Sequence, residues 1–447
     1  MSSDSARVQP AQSKSIVAQR GLIAAAGSLL AAMIALAILH GLTGTFPSWP
    51  AGLCAWVAGA LLVHRVKRTQ QVLLIILLVL GALAMIFALS RGVSPEWVHL
   101  LDENVPLVAM IAAVGFLRLV AGQVDGGEMD DPAGRKAFRH TMFSVAVLGS
   151  FINISAPILV ADRLAVKGRV TRLTSQSITR VFSGCSAWSP FFGGMAVVLT
   201  YVSDARLLPV MLAGLPFALI SLVLVITEAQ TRYRDQLAGF KGYPITVASL
   251  WIPAVLAAAV ALGSWALPGV SILYVIAIAA LGVTVFVLIH RQGPKGSART
   301  LGIHVRSGLP GMAGELMLFL GAGVLAVGLS AVVETGVLKM PVTEFTPAVA
   351  SVLLLGVVTV SAVGLHPVIS VAAMTPLLLP LDPSPTLLAV TYLYCWSLGT
   401  CASPLSGTHL IFQGRYGVPS YKAAVWNWPY VIVMFFFGVL LLHTLPI

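Results

Sequence analysis

The sequence predicts an all-α polytopic membrane protein, with about eleven transmembrane helices, two opposed re-entrant hairpins and an inverted-topology repeat containing two broken helices. Three observations predict it. Hydrophobic residues make up 58% of the chain and charged ones only 10%, against about 25% charge in an ordinary soluble domain. The pattern S-P-x-x-G occurs twice within apolar sequence, at Ser189-Pro190 with Gly193 and at Ser403-Pro404 with Gly407. Proline has no N–H and glycine little backbone restraint, so neither stretch continues a helix. Inside a bilayer, broken backbone is tolerated only against protein or a watery cavity. Third, the succession helix, hairpin, broken helix, helix occurs twice, with opposite entry sides.

The formal net charge of +11 does not indicate nucleic acid, because the Lys and Arg lie between apolar runs, as the positive-inside rule requires. Cys54, Cys185, Cys395 and Cys401 all sit in apolar sequence without metal-ligand spacing, so neither a disulfide framework nor a zinc site is indicated. Arg7, Lys14 and Arg20 precede the first apolar run without a cleavage context, which predicts a cytoplasmic tail leading into a retained helix.

A span needs roughly 20 apolar residues. By that rule the first helices run over 21–42, 49–64, 71–90 and 104–122, with Arg65-Val66-Lys67-Arg68 a cytoplasmic turn. A polar loop from Gln123 to Arg139 follows. Residues 140–164 are interrupted by Asn153-Ile154-Ser155-Ala156-Pro157, and residues 346–380 by Ser361-Ala362-Val363-Gly364-Leu365-His366-Pro367. If both return to their side of entry, only Arg91, Arg206 and Lys339 face outward, and 24 of the 27 Lys and Arg are cytoplasmic. Full crossings would divide them almost evenly, so the charge bias predicts hairpins. Arms of about 12 residues reach about 18 Å, roughly the midplane of a 30 Å core.

The other spans are 175–202 (broken at Cys185–Gly194), 207–227, 246–268, 270–290, 313–336, 387–413 (broken at Cys401–Gly407) and 425–445. The stretch 291–312, with Arg291, Lys295, Arg299 and Arg306, is read as a cytoplasmic loop. Pro209 and Pro429 are expected in the first turns of the two closing helices. The chain thus divides into a tail (1–20), scaffold helices (21–103), a first transport repeat (104–227), further scaffold helices and loops (228–312) and a second transport repeat (313–447). The N-terminus is placed in the cytoplasm and the C-terminus outside. Inverted repeats with discontinuous helices are the mark of secondary transporters, which bind at the midplane.

This layout resembles the ion transporter superfamily, most closely the divalent anion:sodium symporter family, over residues from about 50 to the end. The arsenite-exporter and sodium/proton-antiporter branches are similar in plan. The resemblance lies in architecture: the family carries Ser-Asn-Thr at each hairpin tip, where this chain reads Asn153-Ile154-Ser155 and Ser361-Ala362-Val363-Gly364-Leu365-His366. The resemblance implies sodium as the first-choice coupling ion.

Tips and breaks present half-helix N-termini, with free N–H groups and partial positive charge, to the midplane. The candidate substrate- and ion-binding residues are Asn153, Ser155, Ser183, Ser186, Ser189 and Gly193 in the first half. In the second they are Ser361, Gly364, His366, Thr400, Ser403, Ser406, Gly407, Thr408 and His409. Their hydroxyls either hold an oxygen-bearing ligand or only cap half-helices and allow close packing. A sodium ion would use the backbone and hydroxyls of Ser183, Ser186, Thr400 and Ser403. His366 and His409 either carry a coupling proton or bond as neutral rings to backbone carbonyls.

Arg118 is expected to snorkel at its helix end, so that replacing it changes affinity little. Asp162-Arg163 reads as an interfacial pair, Glu315 as a helix-dipole partner, and Cys185 and Cys401 as small apolar groups more than as arsenite ligands. With no Asp or Glu at a tip or break, the expected cargo is a small anion, carboxylate ahead of inorganic oxyanion. Transport coupled to sodium or protons is the expected activity, with an arsenite-type exporter or a sodium/proton antiporter as alternatives. An ATP-driven or enzymatic role finds no P-loop, G-x-S-x-G or H-E-x-x-H. A membrane-embedded enzyme is the alternative from another class, distinguished by turnover in detergent without a gradient. No cofactor is called for. The partners expected are the anion and the lipid of a bacterial inner membrane, with homodimerisation left open.

Overall fold

The computed structural model describes residues 10–121, 133–243, 251–338 and 341–445, and they are helical almost throughout. The first nine residues of the expected tail, most of the loop from Gln123, the start of the 246–268 span and Lys339 lie outside the described residues.

The chain begins with α1 (Pro10–Thr43), α2 (Trp49–Leu62) and α3 (Arg68–Ser90). A segmented helix follows: α4 (His99–Asp102), α5 (Val105–Val114), a 3-10 turn at Gly115–Leu117 and α6 (Arg118–Ala121). Next come α7 (Gly134–Ile152) and α8 (Ser155–Leu164), then α9 (Arg172–Cys185) and α10 (Gly193–Tyr201), then α11 (Leu207–Arg232) and the short α12 (Arg234–Ala238). Then α13 (Trp251–Ala266) precedes α14 (Ile272–Ile303), which passes through a π turn at His304–Gly308 and a 3-10 turn at Leu309–Met312 into α15 (Ala313–Glu334). The C-terminal part holds α16 (Pro347–Ala362), α17 (Pro367–Leu378), α18 (Pro385–Ala402), α19 (Gly407–Tyr416) and α20 (Ser420–Leu442).

Among the described residues, six helical stretches are long and apolar enough to cross a membrane, including Gln19–Thr43, Arg68–Ser90 and Ser420–Leu442. The chain is a multi-pass membrane protein. On α3 the large apolar residues Ile75, Leu83 and Ile86 are exposed, while Leu74, Leu77 and Met85 on the other face pack against α15. An exposed face of that composition is costly in water and suits acyl chains. Seven of the eleven expected spans overlap the six stretches. The other four are the 14-residue α2, the 16-residue α13 and the two helices split by their S-P-x-x-G breaks.

Several expected boundaries are corrected. Helix α1 starts at Pro10 and α7 at Gly134, both earlier than apolar content alone suggested. The start of α7 is fixed by Gly134 N–H donating to the Phe240 carbonyl at 2.9 Å. The expected loop 291–312 is helical: Gly293 takes φ 69° and Pro294 restarts the helix immediately after it. Proline suits a first helical turn, where its missing N–H is not needed, so the charges of that segment ride on a polar helix. Pro429 is interior to α20, which begins at Ser420, so the expected echo of Pro209 fails; Pro216 inside α11 is its counterpart.

The two halves of each expected hairpin are separate helices joined at a sharp bend. Between α7 and α8, Asn153 takes φ 51° and ψ −138°. The foot of α8 meets the end of α19 through Asp162 and Arg415, and the start of α7 meets the chain just after α12. Trp426 near the start of α20 bonds to Gln176 and Arg180 of α9, and Arg180 reaches Glu228 near the end of α11. Both feet of the α7–α8 pair therefore lie at one end of the bundle. The α16–α17 pair has its feet at the other end: Leu354 packs beside Gly438 late in α20, and α17 runs through a short turn into the start of α18.

Candidate functional site

The two broken helices occupy the centre. Every residue of α9 from Leu173 to Cys185 is buried, and so is α18 from Leu387 to Ala402 apart from Thr400. A buried α18 follows from its composition. Helix α9 does not, since it buries Thr174, Ser175, Gln176, Ser177, Thr179, Arg180 and Ser183. Polar groups at such depth must be paired with each other or with backbone.

Where α9 and α18 touch, the pairing is reciprocal. The Ser183 hydroxyl donates to the Ser397 carbonyl at 2.7 Å, and the Ser397 hydroxyl donates to the Ser183 carbonyl at 2.9 Å. The hydroxyls of Ser183 and Thr400 also meet, and Ser186 donates back to the Ser183 carbonyl at 2.6 Å. Three of the four residues expected to hold sodium are thus bonded mainly to one another. Ser403, the fourth, turns its hydroxyl to the Leu405 N–H at 3.2 Å. Ser189 donates to the Ser150 carbonyl of α7 and accepts from the Phe191 N–H, which ties the first break to the first tip.

A cavity of ≈ 470 Å³ opens beside this centre. It is lined by the first tip, Asn153-Ile154-Ser155, and by Gly407, where α19 begins. Arg65, Lys67, Arg118, His304 and Glu315 line it as well. The second tip, Val363 to His366, lines an adjoining apolar space of ≈ 520 Å³ with Leu405 and Leu410. The two spaces share Gln70, Gly314 and Leu410 as a wall. The four half-helix ends are divided between these spaces. The first tip and the second break share one cavity, the second tip faces its neighbour, and Ser183, Ser186 and Ser189 line neither. The cavity also contains a carboxylate, Glu315, so the titratable groups near the site are not limited to two histidines.

Neither histidine is a free group. His366 caps α17, its Nδ1 accepting from the Val368 N–H at 3.3 Å, with its ring edge-on to Trp396. His409 is buried at the third position of α19, capped by Ser406, which accepts from the His409 N–H. Its Nδ1 lies 2.8 Å from the Ser403 carbonyl and its Nε2 3.2 Å from the Asn427 side-chain amide. With Nδ1–H donating and Nε2 accepting, both bonds are satisfied by one neutral tautomer.

That amide continues a chain the sequence reading missed. Asn427 Oδ1 accepts from Arg180 Nε at 2.9 Å, and Arg180 donates to Glu228 at 2.5 Å and to the Trp426 carbonyl at 2.8 Å. Arg180 is only 3% exposed. It is a buried cation whose donors are spread over α11 and α20. Its position eight residues into a stretch rich in Ser and Thr could have marked it, because such a helix needs an internal partner.

Of the remaining expected residues, Gly193 opens α10 and Gly364 takes φ 109° at the second tip, while Thr408 is half-buried on α19. The Ser361 hydroxyl is buried without a hydrogen-bond partner. Both oxygens of Asp162 accept from Arg415, at 2.8 and 2.6 Å, and its Oδ1 also accepts from the Tyr416 hydroxyl at 2.8 Å. Arg415 beside Asp162 holds its carboxyl below the usual carboxylate range. Cys185 and Cys401 are buried free thiols, Cys185 donating to the Ala146 and Val181 carbonyls.

No family model matches the chain, and no curated protein matches it. Among solved structures it is similar to the Alcanivorax borkumensis YdaH transporter, at 14% identity and a TM-score of 0.47, over 80% of this chain and 86% of that one. A likeness of that size leaves the reading of the site to its own geometry.

Proposed function

We propose that this protein is a secondary active transporter that moves a small anion, a carboxylate, by alternating access, using a sodium or proton gradient. The observation that carries the reading is the cavity: three cationic side chains, Arg65, Lys67 and Arg118, and one carboxylate, Glu315, border it, and it ends on Asn153-Ile154-Ser155 and Gly407. An N-terminal helix end and an excess of cations both favour an anionic guest. In this reading the cavity opens to the cytoplasm, the N-terminus is cytoplasmic, and the α7–α8 and α16–α17 pairs are re-entrant from opposite faces.

The inverted repeat is supported by a constant register. Ser183 and Ser397, Ser189 and Ser403, and Gly193 and Gly407 share one offset along the chain. The same offset relates Arg180 to Tyr394 and Ala213 to Asn427, and Arg180 bonds to Asn427 as Tyr394 bonds to the Ala213 carbonyl. Glu315 favours a second reading, a cation/proton antiporter, in which this carboxylate binds the cation.

Flux in proteoliposomes decides between them. Uptake of a radiolabelled carboxylate driven by an imposed sodium or proton gradient is the expected result. Sodium or proton exchange without anion movement would select the antiporter. Flux indifferent to both gradients would remove coupled transport.

A further inference from the structure

The side chain that grips the anion was expected among the tip and break residues. The geometry points instead to Arg118, and we propose that its guanidinium is the carboxylate anchor of the cavity, aimed by His304 and by the absence of a side chain at Gly308. This inference rests on the anion reading given above and names the group that would carry it out.

Arg118 begins α6, directly after the 3-10 turn at Gly115–Leu117, and its side chain lines the cavity. One of its terminal nitrogens donates to His304 Nδ1 at 3.2 Å. Among the described residues no carboxylate pairs with it, although Glu315 borders the same cavity. A guanidinium has five donors in a planar fork, so most of its donors are left for a guest. Such a fork matches a carboxylate in bidentate fashion, which an ammonium cannot do.

His304 is itself unusual. It is 4% exposed and its Nε2 has no hydrogen-bond partner among the described residues, a buried polar atom left unpaired. It sits at the start of the π turn His304–Gly308, edge-on to Phe116. π turns cost hydrogen-bond geometry and gather at functional positions. This one rotates the chain so that position 308 faces the Arg118–His304 contact. A Cβ there would lie 2.4 Å from Arg118 Nη2 and 2.4 Å from His304 Nδ1. Glycine at 308 is therefore what leaves room for the guanidinium in this pose. Arg118 keeps the exposed position expected of it at its helix end, and it has in addition a dedicated acceptor in His304 and a space kept open at Gly308.

The test uses the full-length protein in detergent, with acetate, benzoate and succinate as probes, each with and without sodium. Saturable binding of at least one probe by the wild type is expected. Arg118→Gln should weaken it at least tenfold, Arg118→Lys by less, and Arg299→Gln, on an exposed part of α14, not at all. His304→Ala and Gly308→Ala should raise KM for flux in proteoliposomes while leaving kcat near wild type, and His304→Gln, which restores an acceptor, should recover part of the loss. Phenylglyoxal should modify Arg118 in the wild type, and the bound probe should protect it, which keeps the proposal testable if Arg118→Gln does not fold. Probe binding that survives Arg118→Gln unchanged, or modification of Arg118 that the bound probe does not slow, would overturn the anchor and leave the anion reading intact. Failure of the wild type to bind any of the three probes would overturn the anion reading and the anchor with it.

Discussion

Replacing Asn427 with Leu tests whether the buried chain from Glu228 to Ser403 is a structural member or an incidental contact. Leucine has nearly the same branched shape as asparagine and removes only the amide. Three bonds go: Arg180 Nε to Oδ1 at 2.9 Å, Nδ2 to His409 Nε2 at 3.2 Å, and a long contact from Nδ2 to the Cys401 carbonyl at 3.5 Å. Asn427 is fully buried, so water cannot take their place. Leaving a buried charged donor one bond short costs about 2–3 kcal/mol, and an unpaired imidazole nitrogen about 1 kcal/mol more. Arg180 keeps Glu228 and the Trp426 carbonyl, which holds the loss short of a broken ion pair. The expected cost is about 3 kcal/mol after a small gain from leucine packing. Asn427→Asp keeps the acceptor for Arg180 and loses the donor to His409, so it should cost less. Reversible unfolding of the purified protein in mixed micelles, titrated with denaturing detergent, measures both. A cost for Asn427→Leu below about 1 kcal/mol, or an Asn427→Asp as damaging as Asn427→Leu, would refute the chain as a stabilising network.

Gly214→Ala should be poorly tolerated, because a Cβ at 214 would lie 1.8 Å from the Ala187 carbonyl in the first break; overpacking of about 1–3 kcal/mol should lower the thermal midpoint, and an unchanged midpoint would show that α11 can retreat from the break. Asn153→Gly should fold as well as wild type or better, since φ 51° with ψ −138° suits glycine, yet it should weaken anion binding by removing the amide from the cavity; Asn153→Ala should lose both, and retained affinity in the glycine variant would leave Asn153 a backbone device only. The exposed Asp162–Arg415 pair should add under about 1 kcal/mol, present above the ordinary aspartate value of about 3.9 and lost as pH falls toward the depressed one; Asp162→Asn should flatten that acid limb of the stability profile, and an identical acid limb in wild type and variant would exclude the pair as its source.

What the sequence made legible is what backbone chemistry decides locally. The breaks fall at Ser186–Phe192 and Ser403–Ser406, the bends at Asn153 and around Gly364, all where proline, glycine or asparagine interrupts apolar sequence. Those residues act through their own φ and ψ, so no knowledge of tertiary neighbours is needed to find them. Helix ends were harder. Ser420 and Gly134 open helices on polar residues that an apolar count discards, and Gly293-Pro294 reads as a stop although proline is compatible with an immediate restart.

The site was less legible for a different reason. Its decisive contacts join residues far apart along the chain, as Arg118 with His304, Arg180 with Asn427 and Ser183 with Ser397 do. Nothing in the sequence around Arg118 distinguishes a freely snorkelling arginine from one held in a fixed pose beside a cavity, since both end an apolar helix with a long basic side chain. The distinction lies in what stands opposite: an acceptor on a π turn and a glycine that leaves the space open. Hydroxyl residues pose the same difficulty. Serine beside a helix break can serve a ligand or satisfy the break itself, and burial decides. Ser183, Ser186 and Ser189 are buried and donate to backbone carbonyls of Ser397, Ser183 and Ser150, whereas Asn153, Ser155 and Gly407 border open space. The cavity, with a guanidinium and a buried imidazole nitrogen short of partners, is where a guest has something to add.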